Sequence, residues 1–458
     1  MCEQYGVPSV SLTCEGFGTQ FKATSMGLRM QGIASALVPG RPDVQTDEEL
    51  RRNIFEVTAL EVIAGLTEVS ETQAPEREPD AWRPWFQGGF AAVNRHFTKH
   101  RLSDGLPVVP PTLERIEEFL AYTSRDAAEV LGVPLPDRRE ATIWSIAVNG
   151  VMAGCRPEYM PILIALVEAM VDPVYGVEHS GNTPGSETLI ILNGPIIGQL
   201  GFNYTQGVMR DGFQSNTSVG RFWRLYLQNV AGFRLHETDK GTYGNTWRVV
   251  TAENEEVLSA IGWDPMSVEM GFAAGDNTVT IARYTGGNPL VSVAGSSPEE
   301  LLPYVADQLQ AQISWHLMFT VGARHGSLRP LLILSPILAK TIAKAGWSKQ
   351  DVKAYLFEHA RKPAWQVERQ REWDHLTRWS LAEAVKAGMV PAVFHESDDP
   401  ERMVPVVCKA DDFMIAVMGD PMRNNAYAFA HNGSLGYPLG KRIVLPHDWE
   451  TRLAAIEE

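Results

Sequence analysis

Leu189-Ile190-Ile191-Leu192, running into Asn193-Gly194-Pro195, is the stretch on which the fold turns. Four consecutive aliphatic residues without polar alternation read as a strand covered on both faces. A polar residue followed by glycine or proline then reads as a turn into the next element. The pattern recurs where Leu331-Leu332-Ile333-Leu334 enter Ser335-Pro336, and again where Met414-Ile415-Ala416-Val417 enter Met418-Gly419-Asp420-Pro421. Buried strands alternating with helical periodicity predict an α/β protein, and open α/β sheets place ligands beyond such strand ends. Any one run reads more simply as an ordinary connection.

Outward toward the N-terminus, Pro8–Thr13 reads as a strand, followed by a helical stretch to about Gln31, a second strand from Ile33 to Val38, and a long helix from about Asp47 to Leu66. Thr46 is placed to cap that last helix. This order predicts a small parallel α/β module over residues 1–70. The module is incomplete, since residues 1–6 read as the end of a helix whose preceding strand is not in the sequence. The acidic, proline-bearing stretch around residues 71–81 reads as a linker. Residues 82–458 then form a larger mixed α/β domain, divisible into two subdomains.

The chain has 458 residues and a formal net charge of −15. That charge speaks against nucleic acid and against an anionic membrane surface as partners. No run of eighteen apolar residues is present. Met1-Cys2-Glu3-Gln4 lacks the basic start of a signal peptide, and the four cysteines (Cys2, Cys14, Cys155 and Cys408) are widely spaced. A reducing, cytoplasmic location is the expectation. No motif names a cofactor or a metal. His179, His236, His325 and His431 are scattered without ligand spacing.

Polar residues gather between 178 and 256: Glu178, His179, Asn193, Asn203, Asp211, Asn216 and Glu253. Such residues build turns, or they supply hydrogen bonds and acid–base groups to a ligand. After Thr217, Val219, Phe222, Trp223, Tyr226, Leu227 and Val230 recur at helical spacing and mark a core face. Arg221 and Arg224 fall together on another face, either solvated or gripping a small anion. Cys155 stands between two helical patterns beside Arg156. It reads as a small buried hydrophobe, or as a thiol made acidic by a helix N-terminus and a neighbouring cation.

Glu3-Gln4-Tyr5-Gly6-Val7-Pro8-Ser9-Val10 with Thr13-Cys14-Glu15-Gly16-Phe17, and the segment Gly32-Ile33 to Pro39-Gly40, resemble part of the UGSC-like domain. That family is named for a Sec-Gly-Ser-Cys or Cys-Gly-Ser-Cys motif, which is absent here. Asp104 to Thr112, Ala147 to Cys155, Asn193-Gly194-Pro195 and Gly346-Trp347-Ser348 resemble an uncharacterised companion family found beside or fused to it. The resemblance implies thiol or selenol redox chemistry on a small anionic substrate, with the motif encoded just upstream of Met1 or carried by a small subunit. Cys155, His179 and Asp211 would be catalytic. Asn193, Asn203, Asn216, Arg221 and Arg224 would bind substrate. A homo-oligomer is the other way to complete the module. The rival expectations are a thiol-independent lyase, hydratase or hydrolase using Glu178, His179, Asp211 and Glu253, and a non-catalytic subunit that positions a partner.

Overall fold

The computed structural model describes residues 7–27, 32–67, 82–245, 249–313, 328–369, 380–431 and 433–457. The linker expected at 71–81, the first six residues and the end of the first helical stretch lie outside them.

In the N-terminal module β1 (Val10–Cys14) pairs in parallel with β2 (Ala34–Val38), in register from Val10 against Ala34 to Cys14 against Val38. The helix Gly18–Gly27 connects them. The second helix begins at Asp47, as expected. The Thr46 hydroxyl accepts from the Glu49 N–H at 3.3 Å, and the Glu49 carboxylate accepts from the Thr46 N–H at 3.0 Å. This reciprocal cap, with three acidic residues in the first turn, satisfies otherwise orphaned donors and complements the helix dipole. The helical path then runs through a wider turn, Ile54–Thr58, into Ala59–Thr67. There Gly65 lets helix and strands touch: a Cβ would stand 2.7 Å from that of Ala34 and 2.9 Å from a Val10 methyl.

Two further small pairs, β3 (Val130–Gly132) with β4 (Ala141–Thr142) and β9 (Arg361–Pro363) with β10 (Met403–Pro405), are separate from the main sheet. The main sheet contains β5 (Glu187–Asn193), β6 (Val250–Ala252), β7 (Thr278–Leu290), β8 (Leu331–Leu334), β11 (Met414–Val417), β12 (Ala426–His431) and β13 (Leu439–Arg442). Its order is β11-β8-β12-β7-β5-β6, with β13 also on β7. The pairs β5–β6 and β8–β11 are parallel and the others antiparallel, so the mixed α/β expectation holds. All three apolar runs are strands. The first is followed by the short helix Ile196–Gln199 and the second by Pro336–Lys344, which has proline in its first turn. The third enters a turn instead.

The sheet curls until its outer strands meet. The Asn254 N–H, just past β6, donates to the Val417 carbonyl at the end of β11 at 2.8 Å. Curling gives the sheet two unequal faces. Leu189, Ile191, Leu331, Ile333, Met414 and Ala416 share a small concave cluster with Tyr284 and Phe429. Ile190 and Leu192 face the helices Ile143–Ala153, Met160–Met170 and Gln214–Tyr226. Leu332, Leu334, Ile415 and Val417 face Pro298–Gln312, Pro336–Lys344 and Lys349–His359. Successive side chains of a strand point to opposite faces, so only covering both sides permits unbroken apolar runs. Each such side chain contributes roughly 1.5–3 kcal/mol of burial.

Candidate functional site

The asparagines singled out from the sequence prove to be fastenings. Asn193, at the end of β5, donates through Nδ2 to Glu253 at 2.8 Å and to Glu255 at 2.9 Å. The Glu253 carboxylate also accepts from the Met266 N–H at 2.8 Å and the Val417 N–H at 3.2 Å, and lies 3.5 Å from the Lys349 ammonium. Both Glu253 and Lys349 are buried, at 1% and 5% exposure. This knot holds β6 to β11 where the sheet closes, which leaves Glu253 no open face for acid–base work. Asn203 and Asn216 bracket one another: the Asn203 N–H donates to the Asn216 side chain at 2.8 Å. The Asn216 amide returns a bond to the Asn203 carbonyl at 3.1 Å and reaches the Val250 carbonyl at 2.6 Å. The cluster that suggested ligand contacts is turn architecture here.

The arginine face is likewise occupied. Arg221 makes a two-pronged contact with Asp104 at 3.0 and 2.9 Å and donates to the Pro107 carbonyl. Arg224 lies between Glu187 at 3.2 Å and Asp239 at 3.5 Å. The two guanidiniums therefore tie separate protein segments to one helix instead of forming the expected anion clamp.

Cys155 also departs from the acidic-thiol expectation. It follows Gly154, the left-handed residue ending the helix Ile143–Ala153, and its N–H donates back to the Gly150 carbonyl. The thiol thus stands, as expected, between two helices: the end of Ile143–Ala153, which disfavours a thiolate, and the short helix Pro157–Tyr159, which begins two residues later. The neighbouring Arg156 is engaged by Glu158 at 2.6 Å. Burial pushes the thiol up to about 12, and Ser218 and Arg221 oppose this only in part. Asp211 and Glu178 are exposed. Half-buried His179 is held below its ordinary value by burial, with Glu178 opposing. Among the described residues no hydrogen bond or ion pair joins Asp211, His179 and Glu253.

The structure instead converges on a cavity of about 290 Å³ at the mouth of the concave face, where β8 and β11 begin. Arg329 and Met414 reach it from those two strands' starts, Met266, Glu269 and Met270 from a short helix and its end, Lys353 from Lys349–His359, and Tyr437 from the β12–β13 connection. The Arg329 Nη1 contacts Asp412 at 2.8 Å and the Leu328 carbonyl at 3.1 Å, and its guanidinium carbon lies 5.4 Å from the centre of the Tyr437 ring. Its Nε and Nη2 donate to no described residue. The Lys353 ammonium lies 3.2 Å from Glu269.

The loop that delivers Tyr437 is fixed by Arg283, a buried cation of β7. Its Nη2 donates to the carbonyls of Tyr175, Gly176 and Leu435 at 2.6, 2.8 and 2.6 Å. A Cβ at Gly436 would stand 2.0 Å from the Tyr175 carbonyl oxygen, so only glycine allows this approach. Behind Tyr437, at 5.7 Å, lies His431. Its Nδ1 accepts from the Gly433 N–H. Burial foremost, then the cations of Arg329 and Arg283, pull its pKa down to about 3, so the ring stays neutral. The sequence does not reveal this cavity, because its walls come from segments up to 264 positions apart, Val174 to Pro438. The available signals were Arg329-Pro330 directly before an apolar strand, and Met266 and Met270 four residues apart.

No known family model matches the chain, nor does any curated protein or solved structure. Among the described residues no helix is long and apolar enough to cross a membrane, and no group of His, Cys, Asp and Glu side chains could hold a metal.

Proposed function

We propose that the chain acts on a small organic acid held in the cavity between Arg329 and Lys353, through thiol-independent chemistry. The observation that carries this reading is the open edge of Arg329. A guanidinium held over an aromatic ring and anchored through one nitrogen has N–H groups left to grip a carboxylate. Lys353 is a second cation on the same wall. The apolar remainder of the ligand would lie against Met266, Met270 and Met414, whose flexible thioethers adapt to varied shapes. Among the described residues no cysteine lines this cavity, and Cys155 sits in the helical layer on the other face of the sheet.

The test is titration calorimetry with isocaproate and hydrocinnamate. Arg329→Lys keeps a charge beside Asp412 but removes the fork. Losing a charge-assisted bond costs roughly 1.5–3 kcal/mol, or about tenfold to a hundredfold in Kd. Absence of binding by the parent chain, or binding unchanged in Arg329→Lys, sinks the reading.

The UGSC-like resemblance supports a second reading confined to the N-terminal module. Cys14 ends β1 immediately before the turn into Gly18–Gly27, at a strand C-terminus where α/β units place their chemistry. In that reading Cys14, not Cys155, meets a thiol or selenol supplied by a partner segment. A mixed disulfide trapped at Cys14 with a thiol probe, and lost in Cys14→Ser, would support it; an inert Cys14 would end it.

A further inference from the structure

The cavity offers both signs of charge, and this narrows the ligand. Two cations, Arg329 and Lys353, stand against three carboxylates: Glu269 and Asp411 in the wall, and Asp412 behind Arg329. The wall is therefore not net positive, and a simple anion would find both cations already compensated. Each carboxylate in the wall uses only one oxygen. Glu269 engages Lys353 through Oε1, and Asp411 accepts from the Gln350 side chain through Oδ1 at 2.8 Å. Oε2 of Glu269 and Oδ2 of Asp411 accept from no described residue. Open acceptors thus line the same small space as the open donors of Arg329.

We infer that the ligand is a zwitterion of the α-amino-acid class with an apolar side chain: its carboxylate on Arg329, its ammonium on Glu269 and Asp411, its side chain on the thioether wall. This rests on the organic-acid reading and deepens it. A zwitterion leaves the cavity's charge balance unchanged on entry, whereas a monoanion must break the Lys353–Glu269 pair or leave a carboxylate facing it. The volume of about 290 Å³ sits at the small end of ligand pockets, which run from roughly 300 Å³ upward, and suits a single amino acid better than a peptide or nucleotide.

The experiment compares matched pairs by calorimetry on the full chain: L-leucine against isocaproate, and L-phenylalanine against hydrocinnamate. The amino acid of each pair should bind about tenfold or more tightly, the worth of one charge-assisted contact. Glu269→Gln or Asp411→Asn should shrink that ratio toward one while affinity for the des-amino acid holds or rises. Because Glu269→Gln also frees Lys353, its ligand-free melting midpoint is measured alongside, and the exposed Asp411→Asn provides the variant least able to disturb folding. If the des-amino acids bind as well as the amino acids, or the ratio survives both substitutions, the zwitterion inference fails and the organic-acid reading stands. If neither member of any pair binds, both fall.

Discussion

Replacing Glu253 by glutamine tests whether the closure of the sheet rests on one buried carboxylate. Glu253 accepts from Asn193, Met266 and Val417 and faces the Lys349 ammonium, all at or below 3.5 Å. Glutamine has nearly the same shape but exchanges one acceptor oxygen for an N–H₂ donor. With its oxygen kept on Asn193 and Met266, the amide nitrogen would point at the Val417 N–H and at Lys349. Two donors would then face a third, and Lys349, 5% exposed, would be left without a countercharge. Removing one partner of a buried pair costs about 3–5 kcal/mol, a large share of the roughly 5–15 kcal/mol that holds a typical domain folded. Urea unfolding should show a lower midpoint at unchanged slope, with the unfolding free energy reduced by that amount. Adding Lys349→Met removes the stranded charge and should recover a substantial part of the loss. A cost under about 1 kcal/mol for Glu253→Gln, or no recovery in the double variant, would refute the claim that this knot closes the sheet.

Three further outcomes follow from the same geometry. Iodoacetamide at neutral pH should modify the half-buried Cys14 and Cys408 well before buried Cys155, whose thiol is pushed up to about 12; preferential labelling of Cys155 would restore it as a reactive thiol. Arg221→Ala should lower stability by roughly 1.5–3 kcal/mol by removing the two-pronged contact with Asp104, yet leave organic-acid binding unchanged; weakened binding without a stability loss would revive the anion clamp. His431 should make the fold acid-labile. The unfolded ring titrates near 6.5 while the folded ring stays neutral to about 3, so the unfolded chain binds the extra proton between those values. Its contribution is complete above the unfolded value and is lost as pH falls, by about 2–3 kcal/mol from pH 6.5 to 4.5. His431→Asn should flatten the stability–pH curve in that window, and parallel curves for parent and variant would contradict the buried neutral ring.

Local physics carried the sequence reading where neighbours along the chain decide the outcome. The run Leu189 to Leu192 had to be a strand covered on both sides, since no alternation offers water a polar face, and the sheet buries alternate residues on two different helical and concave surfaces. Thr46 had to cap a helix because Glu49 stands three residues on. The polar residues were legible in kind but not in duty. Asn193, Asn216 and Arg221 are the types that bind ligands, and the same donors serve equally to close turns and tie segments. Which duty they take depends on partners such as Glu253, Val250 and Asp104, 34 to 117 positions away. The cavity belongs wholly to tertiary structure. Arg329 and Glu269 come together only because the sheet curls, and an isolated guanidinium in a sequence carries no sign of which of its N–H groups folding will leave open.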